Sequence, residues 1–501
     1  MRNSALQFLL VLLLFLAACS SGSSDQEANY DGASENKSME TKMSEEQQSR
    51  PAPPNGAEYD NMFFEDYGTN PFVSTEDDTL STFAMDVDTG SYSVARNYIK
   101  RGELPPDEAV RVEEFVNYFG SNLQAPTNNT FAIGVDGVKS PFGDGYHLLR
   151  ISMKGKEIKV EERKSANLTF VIDVSGSMNR ESRLGLVKKS LKMLVDELQP
   201  QDKVGIVTYG SQGRVVLEPT SIDEKNRVIR AIEKLQPEGS TNAEEGLTLG
   251  YSLAREYFTE GSINRVVLAS DGVANVGKTG HKEILKEIKE YAQEDIKLST
   301  LGFGMGNYND VLMEQLANNG DGNYAYIDSF SEARRVFMEE LTGTLQTIAK
   351  DAKIQVEFDP KKVDRYRLLG FENRDVKDED FKDDSVDGGE VGAGHSVTAL
   401  YEVKLKEGID ELGKISLRYF SEDKHEVEEV QKPLSISEDV NPSKNLMFLA
   451  SVAEFAEILG ESYWAKESSL ESVLELAQSS AQNEEQFAFV ELVKDAIAIG
   501  R

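Results

Sequence analysis

The 501-residue chain is longer than a typical single domain, so it predicts several domains and a large hydrophobic core. Its 87 acidic and 54 basic residues give a formal net charge of -33. This charge argues against nucleic acid as a partner, because binding phosphate backbones relies on clustered Lys and Arg. It also argues against peripheral binding to anionic lipid.

An export signal is predicted at the N-terminus. Arg2 precedes an apolar run from Leu6 to Phe15, and Leu16-Ala17-Ala18 leads into Cys19, the single cysteine of the chain. The run is too short to span a bilayer, and this order of segments is typical of a cleaved signal peptide. The stretch resembles a lipobox, which implies removal of residues 1–18 and lipidation of Cys19; signal cleavage without lipidation is the alternative. The chain is therefore expected in the cell envelope, lipid-anchored to a membrane on its periplasmic or surface side.

A flexible tether and a mixed region are predicted to follow the signal. Residues 19–69 are rich in Ser, Gly, Glu, Asn and Pro, and they lack the apolar surface needed to offset the entropy of ordering. Residues 70–160 are predicted to form an N-terminal flanking region. Its expected elements are helices at Ser91 to Lys100 and Val110 to Phe119, and strands at Phe131 to Val135 and Leu149 to Met153.

Alternating strands and helices characterise residues 165–350. The run Leu168 to Val174 predicts a buried strand, and apolar residues recur at helical spacing between Leu184 and Leu198. Similar strand and helix patterns continue to a last helix predicted from Ser331 to Ala349. This alternation predicts an α/β domain with a doubly wound, mostly parallel sheet.

Beyond this domain, the hydrophobic period changes to two and then returns to helical spacing. Residues 351–440 predict antiparallel strands at Ile354 to Phe358, Val397 to Leu405 and Ile415 to Tyr419, and residues 441–501 predict three closing helices. Neither set of period-two strands suffices alone, because a lone hairpin is marginally stable and an open edge invites aggregation. We therefore predict one β-sandwich with the α/β domain inserted in it or flanked by it, so that the start and end of the inserted domain lie close together.

Oxygen-bearing side chains follow three of the predicted strands and loops. Phe170-Val171-Ile172 runs into Asp173-Val174-Ser175-Gly176-Ser177, Gly239-Ser240-Thr241 precedes a helix, and another strand leads into Ser270-Asp271. The carboxyl ends of parallel strands meet at one crevice, so these side chains are expected together. Hydroxyls and carboxylates without thiol or imidazole suit Mg²⁺ or Mn²⁺. We call the following set the five rim residues: Asp173, Ser175, Ser177, Thr241 and Asp271.

The five rim residues resemble the metal ion-dependent adhesion site of von Willebrand factor type A (VWA) domains, whose pattern is D-x-S-x-S, then Thr, then Asp. Other segments, Asp86 to Tyr92, Arg111 to Phe119 and Gly392 to Glu402, resemble flanking regions of bacterial exported VWA-domain proteins. This resemblance covers the chain from about Asn70 onward. It implies a binding module and not an enzyme, in which the metal coordinates an Asp or Glu of a protein ligand.

A hydrolase that uses Asp86 and Asp88 is the alternative function. Asp88-Thr89-Gly90-Ser91 matches the aspartic-protease motif, but no second D-[ST]-G occurs to share the proton between two carboxylates. The pair also resembles a phosphatase aspartate pair, but Gly90 stands where Thr or Val is expected. A turn or a helix cap accounts for the same residues.

Overall fold

The computed structural model describes most of the chain beyond the predicted tether. It covers residues 62–500, apart from residues 273–280, 306–307, 340–342, 344, 407–410 and 437–442. The predicted signal peptide, Cys19 and most of the tether lie outside the described residues. Within the described part, no helix is both long and apolar enough to cross a bilayer.

The N-terminal flanking region contains short strands and two helices before its hairpin. Both predicted helices are present, and they begin within two residues of the expected positions. The elements are β1 (Val73–Ser74), β2 (Leu80–Ala84), α1 (Gly90–Lys100), α2 (Val112–Phe119), β3 (Phe131–Lys139) and β4 (His147–Gly155).

The next segment forms the predicted doubly wound domain. Its six-stranded sheet has the order β10-β9-β8-β5-β6-β7 and is parallel except for β7. The elements are β5 (Ala166–Asp173), α3 (Arg183–Glu197), β6 (Lys203–Tyr209), β7 (Arg214–Ser221), α4 (Lys225–Glu233), α5 (Ala243–Glu256), β8 (Ile263–Ser270), α6 (His281–Gln293), β9 (Ile296–Phe303), α7 (Asp310–Asn319), β10 (Tyr324–Ile327) and α8 (Phe330–Arg334).

Helices cover both faces of this sheet, because β5 alternates its buried side chains between two cores. Phe170 and Ile172 pack in one core with residues of α3, α4 and α8, whereas Val171 packs in the other with residues of α5, α6 and α7. Strand β5 lies between β6 and β8, so the C-terminal end of β5 is at the centre of the sheet edge. The predicted α/β fold class is confirmed.

The predicted sandwich is also present. One sheet has the order β1-β12-β14-β4-β3, and the other has the order β13-β11-β15-β16 with β2 also paired to β11. Strand β4 precedes the inserted domain and β14 follows it. The two strands pair with each other, and Ile151 is opposite Ala399. The later elements are β11 (Thr347–Phe358), β12 (Val363–Leu369), β13 (Gly389–Gly392), β14 (Ser396–Leu405), β15 (Gly413–Ser421), β16 (Glu426–Leu434), α9 (Lys444–Leu459), α10 (Leu470–Ser480) and α11 (Glu484–Ile499).

The two sandwich sheets share one core, to which strands on both sides of the inserted domain contribute. The backbone N–H of Lys164 donates to Gln346 Oε1 at 3.1 Å, so the start and the end of the inserted domain are adjacent, as predicted. The three closing helices pack with α1 and α2 around a further aromatic core that contains Tyr92, Phe115 and Phe489. The first and last parts of the described chain therefore fold together.

Two predicted boundaries are wrong. The tether was expected to reach residue 69, but Met62, Phe63 and Phe64 are buried, because these apolar side chains pack beside the start of α7. The last helix of the inserted domain was expected to reach Ala349, but β11 begins at Thr347. Pairing of Ala349 with β13 and β15, and its complete burial, outweigh the helical spacing of this segment.

Candidate metal site

Parallel pairing of β5 with β8 places two of the aspartates at one sheet edge. Ile172 pairs with Ala269, so Asp173 and the residues that follow Ala269 leave the sheet at the same level. Asp173 is fully buried, and Asp271 is 5% exposed. Both carboxylates therefore lie at the C-terminal edge of the sheet, where doubly wound folds bind ligands.

Hydrogen bonds connect four of the five rim residues. Ser175 donates its backbone N–H to Asp173 Oδ1 at 2.8 Å, and the Ser175 and Ser177 hydroxyl oxygens are 2.9 Å apart. Ser177 Oγ donates to Asp271 Oδ1 at 3.1 Å. Ser270, which precedes Asp271, donates its hydroxyl to Asp173 Oδ2 at 3.1 Å. The structure thus brings both aspartates and both serines of the predicted site into one network.

The loop that carries Thr241 lies against the network. The N–H of Gly176 donates to the carbonyl of Gly239 at 3.1 Å, so the loop before α5 lies against the Ser175 to Ser177 loop. Gly239 has a φ of +74°, and a Cβ there would lie 2.0 Å from Ser211 Oγ, so only glycine fits this approach. Thr241 itself is half-buried.

The site has an excess of negative charge. Burial, followed by repulsion from Asp271, raises the pKa of Asp173 to about 7. The neighbouring Tyr209 pairs with Asp173 in register, and burial and that carboxylate raise the pKa of its hydroxyl well above 10.0. A divalent cation among these oxygens would offset the repulsion, and the donor set contains only oxygen. The residues present therefore fit Mg²⁺ or Mn²⁺.

Two residues beside the site were not predicted from the sequence. Tyr209 is the last residue of β6, and Arg183 is the first residue of α3, where its guanidinium pairs with Asp271 at 2.6 Å. The position of Tyr209 at a strand end was a usable signal, because β6 neighbours β5 in the sheet. Arg183 carried no comparable signal, since a basic residue on a helix is usually solvated.

Asp86 and Asp88, the residues of the alternative hydrolase function, form contacts that join parts of the fold. Asp86 and Asp88 are each 4% exposed and line a cleft of about 380 Å³. Asp86 Oδ2 accepts from Arg374 Nε at 2.9 Å, and Asp88 Oδ1 accepts from the backbone N–H of Tyr324 at 3.1 Å. These contacts connect the N-terminal flanking region to β10 and to the sandwich, which accounts for both carboxylates.

Further buried carboxylates surround Asp86. Oxygens of Asp86, Glu113 and Glu114 lie within 4.8 Å of one another. Glu113 Oε2 accepts from the backbone N–H of Phe371 at 3.0 Å, whereas Oε1 is buried and lacks a hydrogen-bond partner. Burial and the Glu372 and Glu114 carboxylates raise the pKa of Glu113 well above 4.5. Folding therefore favours the protonated form of Glu113.

We predict that Glu113→Gln stabilises the protein at pH 8. Because the folded pKa is raised, the wild type loses stability as the pH rises from about 4.5 through that pKa, and the neutral amide avoids this loss. Denaturant unfolding should give a higher free energy of unfolding for the variant at pH 8 and a similar value at pH 4.5. Equal stability at pH 8 would contradict a protonated Glu113.

Comparison with known proteins identifies the family. The von Willebrand factor type A domain model matches residues 167–341, the "von Willebrand factor" model matches residues 58–150, and the model of the C-terminal region of YfbK matches residues 343–411 and 404–499. Uncharacterized protein YfbK of Escherichia coli (strain K12) is 37% identical over 86% of this chain and 80% of its own length. The chain belongs to the YfbK family.

Other known proteins are similar to parts of this YfbK-family protein. Human inter-alpha-trypsin inhibitor heavy chain H2 is 29% identical in a match that covers 36% of this chain and 20% of that protein. The solved structure of a von Willebrand factor type A protein from Catenulispora acidiphila is 15% identical, covers 75% of this chain and 90% of its own, and has a TM-score of 0.44. VWA domains typically mediate protein–protein interactions and commonly bind a divalent metal ion.

Proposed function

We propose that the VWA domain of this YfbK-family protein binds Mg²⁺ or Mn²⁺ through the five rim residues and captures a protein partner by an Asp or Glu of that partner. The observation that carries the proposal is the network from Asp173 through Ser175 and Ser177 to Asp271, in which each contact is between 2.8 and 3.1 Å. The aspartates and serines of a D-x-S-x-S…D motif are together at the C-terminal edge of the sheet.

The rim residues have two roles in this proposal. The Ser175, Ser177 and Thr241 hydroxyls are uncharged ligands, so they would bind the cation without neutralising it, and the two aspartates would supply the negative charge that retains it. When bound, the cation would supply Lewis acidity toward an incoming carboxylate. Gly176 is exposed, and Ser177 and Thr241 are half-buried, so the partner reaches the rim from solvent.

Metal-dependent capture from an envelope extract tests the proposal. The full chain, immobilised through its C-terminus, should retain a partner in Mg²⁺ and release it in EDTA. Prior conversion of the extract's carboxyl groups to amides should abolish retention, because the amide has no charge to pair with the metal. Retention that is unchanged by EDTA would contradict a metal-bridged contact.

We further propose that the protein is anchored to an envelope membrane through lipid on Cys19. The support is the apolar segment that ends in Leu16-Ala17-Ala18-Cys19 and the presence of this single thiol. Cys19→Ser should leave the protein soluble or unprocessed, as judged by fractionation and by the mobility of the mature form, whereas Ser20→Ala should behave like the wild type. Normal processing and membrane fractionation of Cys19→Ser would contradict the anchor.

A further inference from the structure

Arg183 forms a buried contact with one of the rim aspartates. Its Nη1 lies 2.6 Å from Asp271 Oδ2, and its Nη2 donates to the backbone carbonyl of Met305. The Arg183 and Asp271 side chains are only 7% and 5% exposed. The guanidinium therefore bridges the metal rim to the loop that follows β9.

The loop after β9 is shaped around this guanidinium. Gly304 has a φ of +79°, and a Cβ at this position would lie 2.2 Å from Arg183 Nε and 2.5 Å from its Cδ. Any other residue would be strained in this conformation and would displace the arginine. The absence of a side chain at Gly304 thus provides the space that the Arg183 side chain occupies.

The contact leaves both oxygens of Asp271 occupied. Oδ1 accepts from Ser177 and Oδ2 accepts from Arg183, so a fixed positive charge lies against one of the two negative charges at the rim. Buried ion pairs are weakly screened by solvent and salt. Arg183 therefore offsets part of the Asp271 charge, so the two rim carboxylates hold a cation less strongly than they would without it.

We propose that Arg183 is the positioning residue that sets the ligand preference of the metal site. By offsetting Asp271, it weakens cation binding but leaves the occupied site with an excess positive charge, which favours an anionic ligand over a neutral one. This inference rests on the proposed function, since it concerns the same site. It predicts that loss of the Arg183 charge strengthens binding of the cation and weakens binding of an anionic ligand. A purely structural role would not change these two affinities in opposite directions.

Calorimetry with Mg²⁺ alone tests the first step. Arg183→Gln should bind Mg²⁺ at least about tenfold more tightly than the wild type, because removal of the positive charge frees the Asp271 carboxylate. Arg183→Lys, which keeps the charge, should stay near the wild-type affinity. Arg227→Gln removes an exposed charge from α4 and should have no effect. Equal or weaker Mg²⁺ binding by folded Arg183→Gln overturns the inference, as does tighter binding by Arg183→Lys.

Acetate binding to the Mn²⁺-loaded protein tests the second step. Paramagnetic relaxation of the acetate methyl protons should show at least about tenfold weaker binding to Arg183→Gln than to the wild type, whereas Arg183→Lys should bind normally. Unchanged acetate affinity in Arg183→Gln overturns the inference but leaves the proposed function intact. Failure of the wild type to bind Mg²⁺ or Mn²⁺ would contradict the proposed function itself, so the two failures are distinguishable.

Discussion

Asp173→Ala should lower the Mg²⁺ affinity of the VWA domain by at least about a hundredfold and should leave the fold intact. Asp173 is the fully buried carboxylate of the site, and it accepts hydrogen bonds from Ser175 and Ser270 that orient it. Its removal takes away the rim charge that Arg183 does not offset. The measurement is calorimetric titration of the full chain with Mg²⁺ at pH 7.5.

Two controls separate loss of the site from loss of the fold. Asp196→Ala removes an exposed carboxylate from α3 of the same domain, where it pairs with Lys225 on the surface, and this variant should bind Mg²⁺ normally. The thermal unfolding midpoint of metal-free Asp173→Ala should not fall, because burial, followed by repulsion from Asp271, raises the pKa of Asp173 to about 7 and makes this carboxylate unfavourable in the fold without a metal. Equal metal affinity in a folded Asp173→Ala variant would refute the site.

Arg111→Ala should destabilise the protein by about 3–5 kcal/mol. Arg111 is 5% exposed at the start of α2, where its Nε donates to Glu114 and its Nη1 donates to Asp310 Oδ2 at 2.9 Å. Asp310 begins α7 of the VWA domain, so this arginine joins the N-terminal flanking region to that domain. Alanine leaves two buried carboxylates without their guanidinium partner.

Denaturant unfolding at pH 7.5 measures this effect. Arg227→Ala is the matched control, because Arg227 pairs with Glu224 at the surface and such exposed pairs contribute at most about 1 kcal/mol. A loss of less than about 1 kcal/mol for Arg111→Ala would contradict the view that this ion pair ties the two regions together. Lowering the pH to 5 should reduce the loss, since protonation of Glu114, whose pKa is raised to about 7 mainly by burial, removes one unpaired charge.

The sequence predicted the VWA sheet and most of the candidate site because these features are local. Residues Phe170 to Ile172 are apolar, and Asp173 follows them directly, so the end of the strand and its ligand are adjacent in the chain. Arg183 could not be predicted in the same way. Its partner Asp271 is distant in sequence, and their contact depends on how α3 and β8 pack in three dimensions.

The sandwich was predicted only in outline, since period-two alternation marks strands that have one buried face. Strand β16 (Glu426–Leu434) was missed because its side chains are mostly exposed and carry no such alternation. The start of β11 was missed because Ile348 and Ala349 continue the apolar spacing of a helix, and only pairing with β13 and β15 makes this segment a strand. The joining of the strands on both sides of the inserted domain in one sandwich was predicted because neither set suffices alone, but the pairing of β4 with β14 was not.

Anomalous diffraction from crystals soaked in Mn²⁺ tests the metal-binding claim most directly. The account predicts one strong peak among the Ser175, Ser177 and Thr241 hydroxyls, close to Asp173 and Asp271, and no such peak in Asp173→Ala crystals. An acidic side chain of a bound peptide or a neighbouring molecule should complete the coordination when one is present. A wild-type crystal without a peak at this rim, under conditions where Mn²⁺ binds elsewhere on the protein, would contradict the account.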